Sequence, residues 1–292
     1  MRANRGAALL LVLWLLLLMA GLVAVFAFSA RIEAMQGSAL RSQALARLAA
    51  EAGIEVAALR LNQPDPANRW LPDGRPYGFE FEGHRIELRI VDESAKVDLN
   101  AADVALLANL MRALGIEDTR ARQLAAVIQD WRDPDDLVSM EGGAEDRDYA
   151  AARREYGARD APFTTVSELQ QLLGMDEATY RLLVPHVTIH GGQPRPRPDF
   201  AEASVLLALG LPPDQVAQLL AARAAWQPGL PLPVLPGGDT LAVVGSGTYS
   251  VASRAVRPDG QQVEVTATLR MGAAAGFGQL YAPLAWRVGE PD

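Results

Sequence analysis

The stretch that decides the reading is Met1 to Ala30, MRANRGAALLLVLWLLLLMAGLVAVFAFSA. A short head with Arg2 and Arg5 ends at Gly6, and Ala7 to Ala30 then run without a charge. As a helix, Ala7 to Phe28 spans about 33 Å at ~1.5 Å per residue, enough to cross a bilayer core of about 30 Å. A secretory signal has a shorter apolar region, about 7–15 residues, followed by small residues. Ala27-Phe28-Ser29-Ala30 offers such a cleavage site, so a removable signal is the competing reading. The helical pattern nevertheless continues beyond the apolar run. Ile32, Met35, Leu40, Leu45, Leu48, Ala52, Val56 and Leu59 recur mostly at three- and four-residue spacing, with two five-residue steps around Leu40, between charged residues. One helix from about Ala7 to Leu61 is expected, half in lipid and half packed on a soluble domain, ended by Pro64-Asp65-Pro66. Gly6 before Ala7 reads as a processing and anchoring junction. The positive-inside rule leaves the Arg2/Arg5 head in the cytoplasm and the rest of the chain across the membrane.

Composition narrows the classes further. The 292 residues carry a net charge of −8, which argues against a general nucleic-acid binder and suits a surface that holds cations. Cysteine is absent, consistent with a periplasmic domain that needs no disulfide staples.

After a turn-rich stretch from Pro64 to Gly78, Phe79-Glu80-Phe81 and Arg85–Ile90 alternate apolar and polar around Glu82-Gly83-His84, the pattern of a β-hairpin. From Asn100 to about His190 the period becomes helical, through Val104, Leu107, Leu110, Met111 and Leu114, then Leu124, Val127, Ile128 and Trp131. Ser167–Leu173 and Glu177–Leu183 form a second helical pair. Gly191–Pro198 is a linker, helices are expected over Ala201–Leu209 and Asp214–Trp226, and Pro228–Gly238 is a loop. Alternation returns in Thr248–Val256 and Gln262–Met271 around Pro258-Asp259-Gly260. Strands before and after a helical block imply an α+β class, an antiparallel sheet with the helices inserted into it. The expected divisions are 1–6 leader, 7–30 membrane segment, 31–99 helix continuation and first strands, 100–190 helical insertion, and 191–292 linker, helices and last strands.

The insertion holds a weak repeat: Ala113-Leu114-Gly115-Ile116 and Leu172-Leu173-Gly174-Met175 each join two helices through a glycine turn. Paired hairpins of this form can grip DNA phosphates through turn amides, which makes a membrane-tethered helix-hairpin-helix DNA receptor the alternative function. Glu117-Asp118 and Asp176-Glu177 place carboxylates where phosphate would approach, and phosphate affinity needs Lys or Arg.

The densest chemistry lies between the hairpins. Eight carboxylates fall between Asp130 and Asp148, against Arg132 and Arg147. Such crowding raises each carboxyl's pKa and destabilises the fold unless a cation compensates. Clustered hard oxygens from loops select Ca²⁺, whereas zinc would want His or Cys. An EF-hand fails: counted from Asp133, the position for glycine is Val138 and the position for the bidentate Glu is Ala144. The expected site takes Asp133 and Asp135 from one arm, with Asp130 beside them and Asp136 as the alternative to Asp135, and Glu145 and Asp146 from the other, with Asp148 an open further ligand. The competing reading is a solvated acidic loop; Trp131, Met140 and Tyr149 beside it, which are expected to be buried, favour a bound ion. No catalytic residues are assigned: Gly245-Ser246-Gly247 lacks the spacing of a nucleophile elbow, and His84, His186 and His190 have no evident Ser or Cys partner.

Taken in order, the basic head ending in Gly6, the apolar helix, Ser94-Ala95-Lys96-Val97-Asp98-Leu99-Asn100, Ile128-Gln129-Asp130-Trp131-Arg132-Asp133-Pro134-Asp135, and Gly143-Ala144-Glu145-Asp146 with Tyr149 and Tyr156 resemble the K-type minor pseudopilins of type II secretion, general secretion pathway protein K. Ser167-Glu168-Leu169, Gly174-Met175, Tyr180 and Val184-Pro185-His186-Val187-Thr188 extend the match over nearly the whole chain. The resemblance implies a pseudopilin fold with a large calcium-binding helical insertion. It implies a place at the tip of a periplasmic pseudopilus anchored in the inner membrane, supporting export of folded proteins. The I-type and J-type minor pseudopilins and other filament pseudopilins would be partners. Prepilin peptidase would cut after Gly6 and leave Ala7 as a methylated N-terminus. Leu11 stands where most pseudopilins carry a glutamate, as in the K type, so the subunit would offer no carboxylate to a subunit above it. Pro198–Ser204 replaces the family's usual Asn-x-Asn-Thr-Ala segment.

Overall fold

The computed structural model describes residues 5–227, 230–234, 238, 240–241, 244–272 and 279–289. Met1 to Asn4, with Arg2, and parts of the Pro228–Gly238 loop lie outside the described residues.

A single helix, α1 (Arg5–Leu61, 57 residues), carries the chain from the basic head into the globular region. Gly6 and Ala7 lie in its first turn. Leu9 to Phe28 expose every large apolar side chain, and this helix is long and apolar enough to cross a membrane. Its far end packs on a sheet, but through a different face from the one the spacing of large residues picks out. The buried face is Ala46, Ala49, Ala50, Ile54, Ala57, Ala58 and Leu61, whereas Leu48 and Leu59 remain 58% and 49% exposed. Close approach explains the choice. A Cβ at Gly53 would collide with Ser253 Oγ and Ile86 Cγ2, so glycine at this position lets the helix axis come this near the strands.

The sheet is antiparallel, in the order β1-β2-β5-β6-β7. Strand β1 (Asp73–Phe81) starts inside the stretch that reads as turns, and a register shift between Asp73 and Pro76 accommodates the proline on this edge. β1 joins β2 (His84–Asp92) through Glu82-Gly83, whose φ values of 45° and 74° give the loop the twist a two-residue hairpin needs. β5 (Thr248–Val256) and β6 (Gln262–Met271) match the alternation in the sequence, and β7 (Tyr281–Val288) adds an edge strand. Ile86, Leu88 and Ile90 of β2, Val251 and Ala255 of β5, and Val265, Ala267 and Leu269 of β6 form one core under α1.

The chain leaves the sheet after β2 and returns at β5, which pairs directly with β2. The described residues between form a helical body. Its base is a parallel pair, β3 (Val97–Asp98) and β4 (Val187–Thr188). It then holds α2 (Val104–Ala113), α3 (Asp118–Arg132), α4 (Asp146–Ala151), a 3₁₀ turn over Val166–Gln171 and α5 (Glu177–Leu183). Helices α6 (Ala203–Ala208) and α7 (Pro213–Ala225) follow β4 but join the same buried cluster, with Phe200, Val205, Leu206, Val216 and Leu219 against the α2 and α3 core. In packing, the helical body therefore reaches past residue 190 to Leu241.

Candidate metal centre

The two acidic arms are brought together by aromatic packing. Trp131 near the end of α3 sits 5.7 Å from Tyr149 of α4, and 6.4 Å from both Tyr156 and Phe163. Its indole nitrogen donates to Glu168 Oε2 at 3.4 Å. Burying these rings forces the C-terminus of α3 against the N-terminus of α4, and the carboxylates with them.

Asp130 is fully buried, and its carboxylate accepts from the Ser139 amide (3.1 Å) and hydroxyl. Asp133 caps α3; one oxygen accepts from Gln129 Nε2 at 3.1 Å, and the other is buried with no hydrogen-bond partner. Burial, then Asp135 and Asp130, push the Asp133 carboxyl up. Glu145 is 3% exposed and opens α4 in a capping box with Asp148, yet its Oε1 also lacks a partner. Burial and the neighbouring Asp130, Asp133, Asp160 and Asp136 raise the Glu145 carboxyl to about 7. Gly143 fits because a Cβ there would run into the Asp130 carboxylate.

The outer predicted residues are placed differently. Asp135 is exposed and turns back to the Leu137 amide at 2.9 Å. Asp146 is exposed and leans on Gly157, where a Cβ would meet its carboxylate. Asp148 is occupied by the Glu145 amide at 3.0 Å. Asp160, which no pattern in the sequence marks, adds a carboxylate at φ 53°; burial, Asp146 and Asp136 raise it. Arg132 offsets the Asp133 charge only in part, because its guanidinium is turned to Leu99 O, Ala102 O and Gln129 Oε1. Met140, expected to be buried, is fully exposed. The loop is pinned by Ser139 instead, which leaves its apolar side chains outside. Among the described residues no group of three or more His, Asp or Glu side chains is placed to hold a metal ion. What is built is a partly buried, under-compensated group of carboxylates with two orphan oxygens, on Asp133 and Glu145.

The hairpin turns are formed, with Gly115 at φ 86° and Gly174 at φ 80°. Their helix N-termini are already satisfied by carboxylates: Glu117 accepts from the Thr119 and Arg120 amides, and Asp176 from the Thr179 amide. Arg120 crosses between the hairpins to Asp176 at 2.6 Å. These amides point at anions of the chain itself. One histidine does meet a serine. Ser204 Oγ lies 3.1 Å from His186 Nδ1, but Glu202 contacts that same nitrogen at 3.2 Å, so no Ser-His-Glu relay through both ring nitrogens exists.

Comparison with known proteins agrees with this architecture. The family model for type II secretion system protein K matches residues 84–192, from β2 to just past β4. A type II secretion system protein K of Klebsiella pneumoniae is 34% identical over 253 residues, covering 76% of each chain. That of Pectobacterium carotovorum subsp. carotovorum is 30% identical over 212 residues, covering 63% of this chain and 62% of its own. In the crystal structure of the GspK-GspI-GspJ complex from the enterotoxigenic Escherichia coli type 2 secretion system, one chain superposes with a TM-score of 0.56 at 21% identity, over 90% of this chain and 99% of its own. A long apolar N-terminal helix, an antiparallel sheet and a helical insertion make up the α+β pseudopilin fold, and the chain belongs to the type II secretion system protein K family.

Proposed function

We propose that this chain is the minor pseudopilin at the tip of the type II secretion pseudopilus, supporting filament assembly and export of folded periplasmic proteins across the outer membrane. The observation that carries this reading is α1. Large apolar side chains face outward along its membrane segment and again at Leu40, Leu45, Leu48 and Leu59, where a soluble domain alone gains nothing from them. Such a helix has two surroundings in turn, lipid and then the helices of neighbouring subunits. The I-type and J-type minor pseudopilins are the partners, a choice supported by the complex in which the similar chain was solved.

The precursor sits in the inner membrane with its N-terminus in the cytoplasm and its α+β domain in the periplasm. Prepilin peptidase cuts after Gly6, and Ala7 becomes a methylated N-terminus. Leu11 gives the helix no carboxylate for a subunit above it, and the width of the helical body further favours the tip over the shaft. Asp130, Asp133 and Glu145, with Asp135 and Asp146 at the margin, would hold a structural calcium ion. Its charge relieves the repulsion around Glu145 and ties the two arms. The DNA-receptor alternative loses ground because the turn amides are capped by Glu117 and Asp176.

Intact-mass measurement of the chain co-produced with a prepilin peptidase tests the processing step. Loss of Met1–Gly6 with gain of a methyl group is expected. Cleavage after Ala30 would replace this reading with an ordinary secreted protein.

A further inference from the structure

The joint between the sheet and the helical body contains buried ionisable groups that neither cation binding nor assembly uses. The two hydrophobic cores are separate clusters, and a seam of polar groups links them. Asp92, at the end of β2, is buried and accepts from the Ser94 amide and hydroxyl (2.8 and 2.7 Å) and from the Ser246 amide and hydroxyl (both 2.6 Å). Next to it Glu93 is 2% exposed and reaches three ways. It pairs with Lys96 Nζ at 2.6 Å, accepts from Ser250 Oγ of β5 at 2.5 Å, and accepts from Thr188 Oγ1 of β4. Burial alone would raise the Glu93 carboxyl, but Lys96, Ser250 and Thr188 outweigh it and hold the group below its ordinary range. The following residues extend the seam. The Arg197 amide donates to Ser94 O and the Gly192 amide to Asp98 Oδ2, each at 2.7 Å.

An apolar joint slides at little cost, because hydrophobic contact has no direction. Short charge-assisted hydrogen bonds among buried groups do have direction, and opening one strands a charge away from water. We propose that Glu93 and Ser94–Asn100, with Thr188 and Ser250, form a clasp that fixes the angle of the helical body on the sheet, so that the body and α1 move as one rigid unit. The clasp sets attitude more than stability, since each side has its own core. In the tip reading proposed above, it would keep the broad helical body at a constant angle to the filament axis, but the clasp itself stands on the geometry of the joint.

The chain lacks cysteine, so a spin-label pair at Glu80→Cys on β1 and Gln170→Cys on the 3₁₀ turn, both exposed, can be introduced in the full-length protein in detergent. The parent should give one narrow distance distribution. Two clasp variants are compared with it: Thr188→Val/Ser250→Ala, which removes the two hydroxyls reaching Glu93 together with their contacts to the His190 amide, Lys96 and Thr268, and Glu93→Gln/Lys96→Met, which removes the buried pair without leaving a lone charge. In a variant that stays folded by near-ultraviolet circular dichroism, the distribution should widen to roughly double, as for a freed hinge. A distribution that stays narrow in the hydroxyl-deleted variant, with only a lower melting temperature, would overturn the proposal and leave the seam a stabilising contact. If the pair-deleted variant fails to fold, the hydroxyl-deleted one decides alone.

Discussion

At the scale of single residues, three positions show which effect wins. Gly53 faces Ser253, whose hydroxyl is fully buried and has no hydrogen-bond partner. Gly53→Ala should destabilise the domain by about 1–3 kcal/mol through overpacking against Ser253 and Ile86. Ser253→Ala should be neutral or stabilising by up to about 1 kcal/mol, because it removes an unsatisfied group. The pair should be non-additive in chemical denaturation, since removing the hydroxyl vacates part of the space the new methyl needs. Glu168 is the opposite case. Burial would raise its carboxyl, but Thr164, Thr165 and Arg159 together hold it near 2. A depressed carboxyl stabilises the fold above its unfolded pKa, and that contribution disappears as pH falls from about 4.5 through about 2. Glu168→Gln should therefore flatten the acid limb of a stability–pH curve between those limits, by an amount of order 1–3 kcal/mol. An unchanged slope would show that Glu168 is not held ionised. Sequence pattern marked Asp130, Asp133 and Glu145 as candidates, and the structure places them beside one another because the arms are short and local. It could not identify Asp160, whose place at the cluster depends on how residues 150–163 wrap around Trp131. It also misplaced Met140, since apolar character marks a preference for burial and the Ser139–Asp130 bonds set the loop's path instead.

At the scale of elements, α1 carries two faces with different duties. Its alanine face packs on the sheet, and Ala50→Leu should cost about 1–3 kcal/mol because Ala50 is fully buried and three more heavy atoms must be fitted into that contact. Its leucine face remains exposed, so Leu48→Glu should leave the melting temperature within a degree or two of the parent, as most surface changes do. The same substitution should weaken association with partner pseudopilins, read out by co-purification from membranes. Undiminished association would remove this face from the assembly surface. Helical periodicity made the length of α1 legible, but large residues misdirected the choice of packing face. A helix that must lie this close to a sheet selects alanine and glycine, which hydrophobicity ranks low. Strands β5 and β6 were readable from alternation. β7 was not, because Ala282, Pro283 and Ala285 interrupt its pattern and pairing with β6 supplies what the side chains do not.

At the scale of the whole molecule, the α+β arrangement followed from strands flanking a helical block, whereas the reach of the helical body did not. Helices α6 and α7 lie beyond the Gly/Pro linker in sequence yet share a core with α2, a long-range contact without a local signature. The arms that carry Asp130 and Glu145 are tied to the same aromatic cluster that holds α3 and α4 together, so calcium chelation should lower the melting temperature of the full chain by several degrees, and calcium should restore it. No change on chelation, with no calcium in the purified protein, would contradict the metal centre. The most direct test of the tip assignment is the mass of the assembly formed when the processed chain is co-produced with the I-type and J-type minor pseudopilins of its own system. A stable complex with one copy of each is the expected result, and a chain that purifies alone under conditions where the other two associate would contradict it.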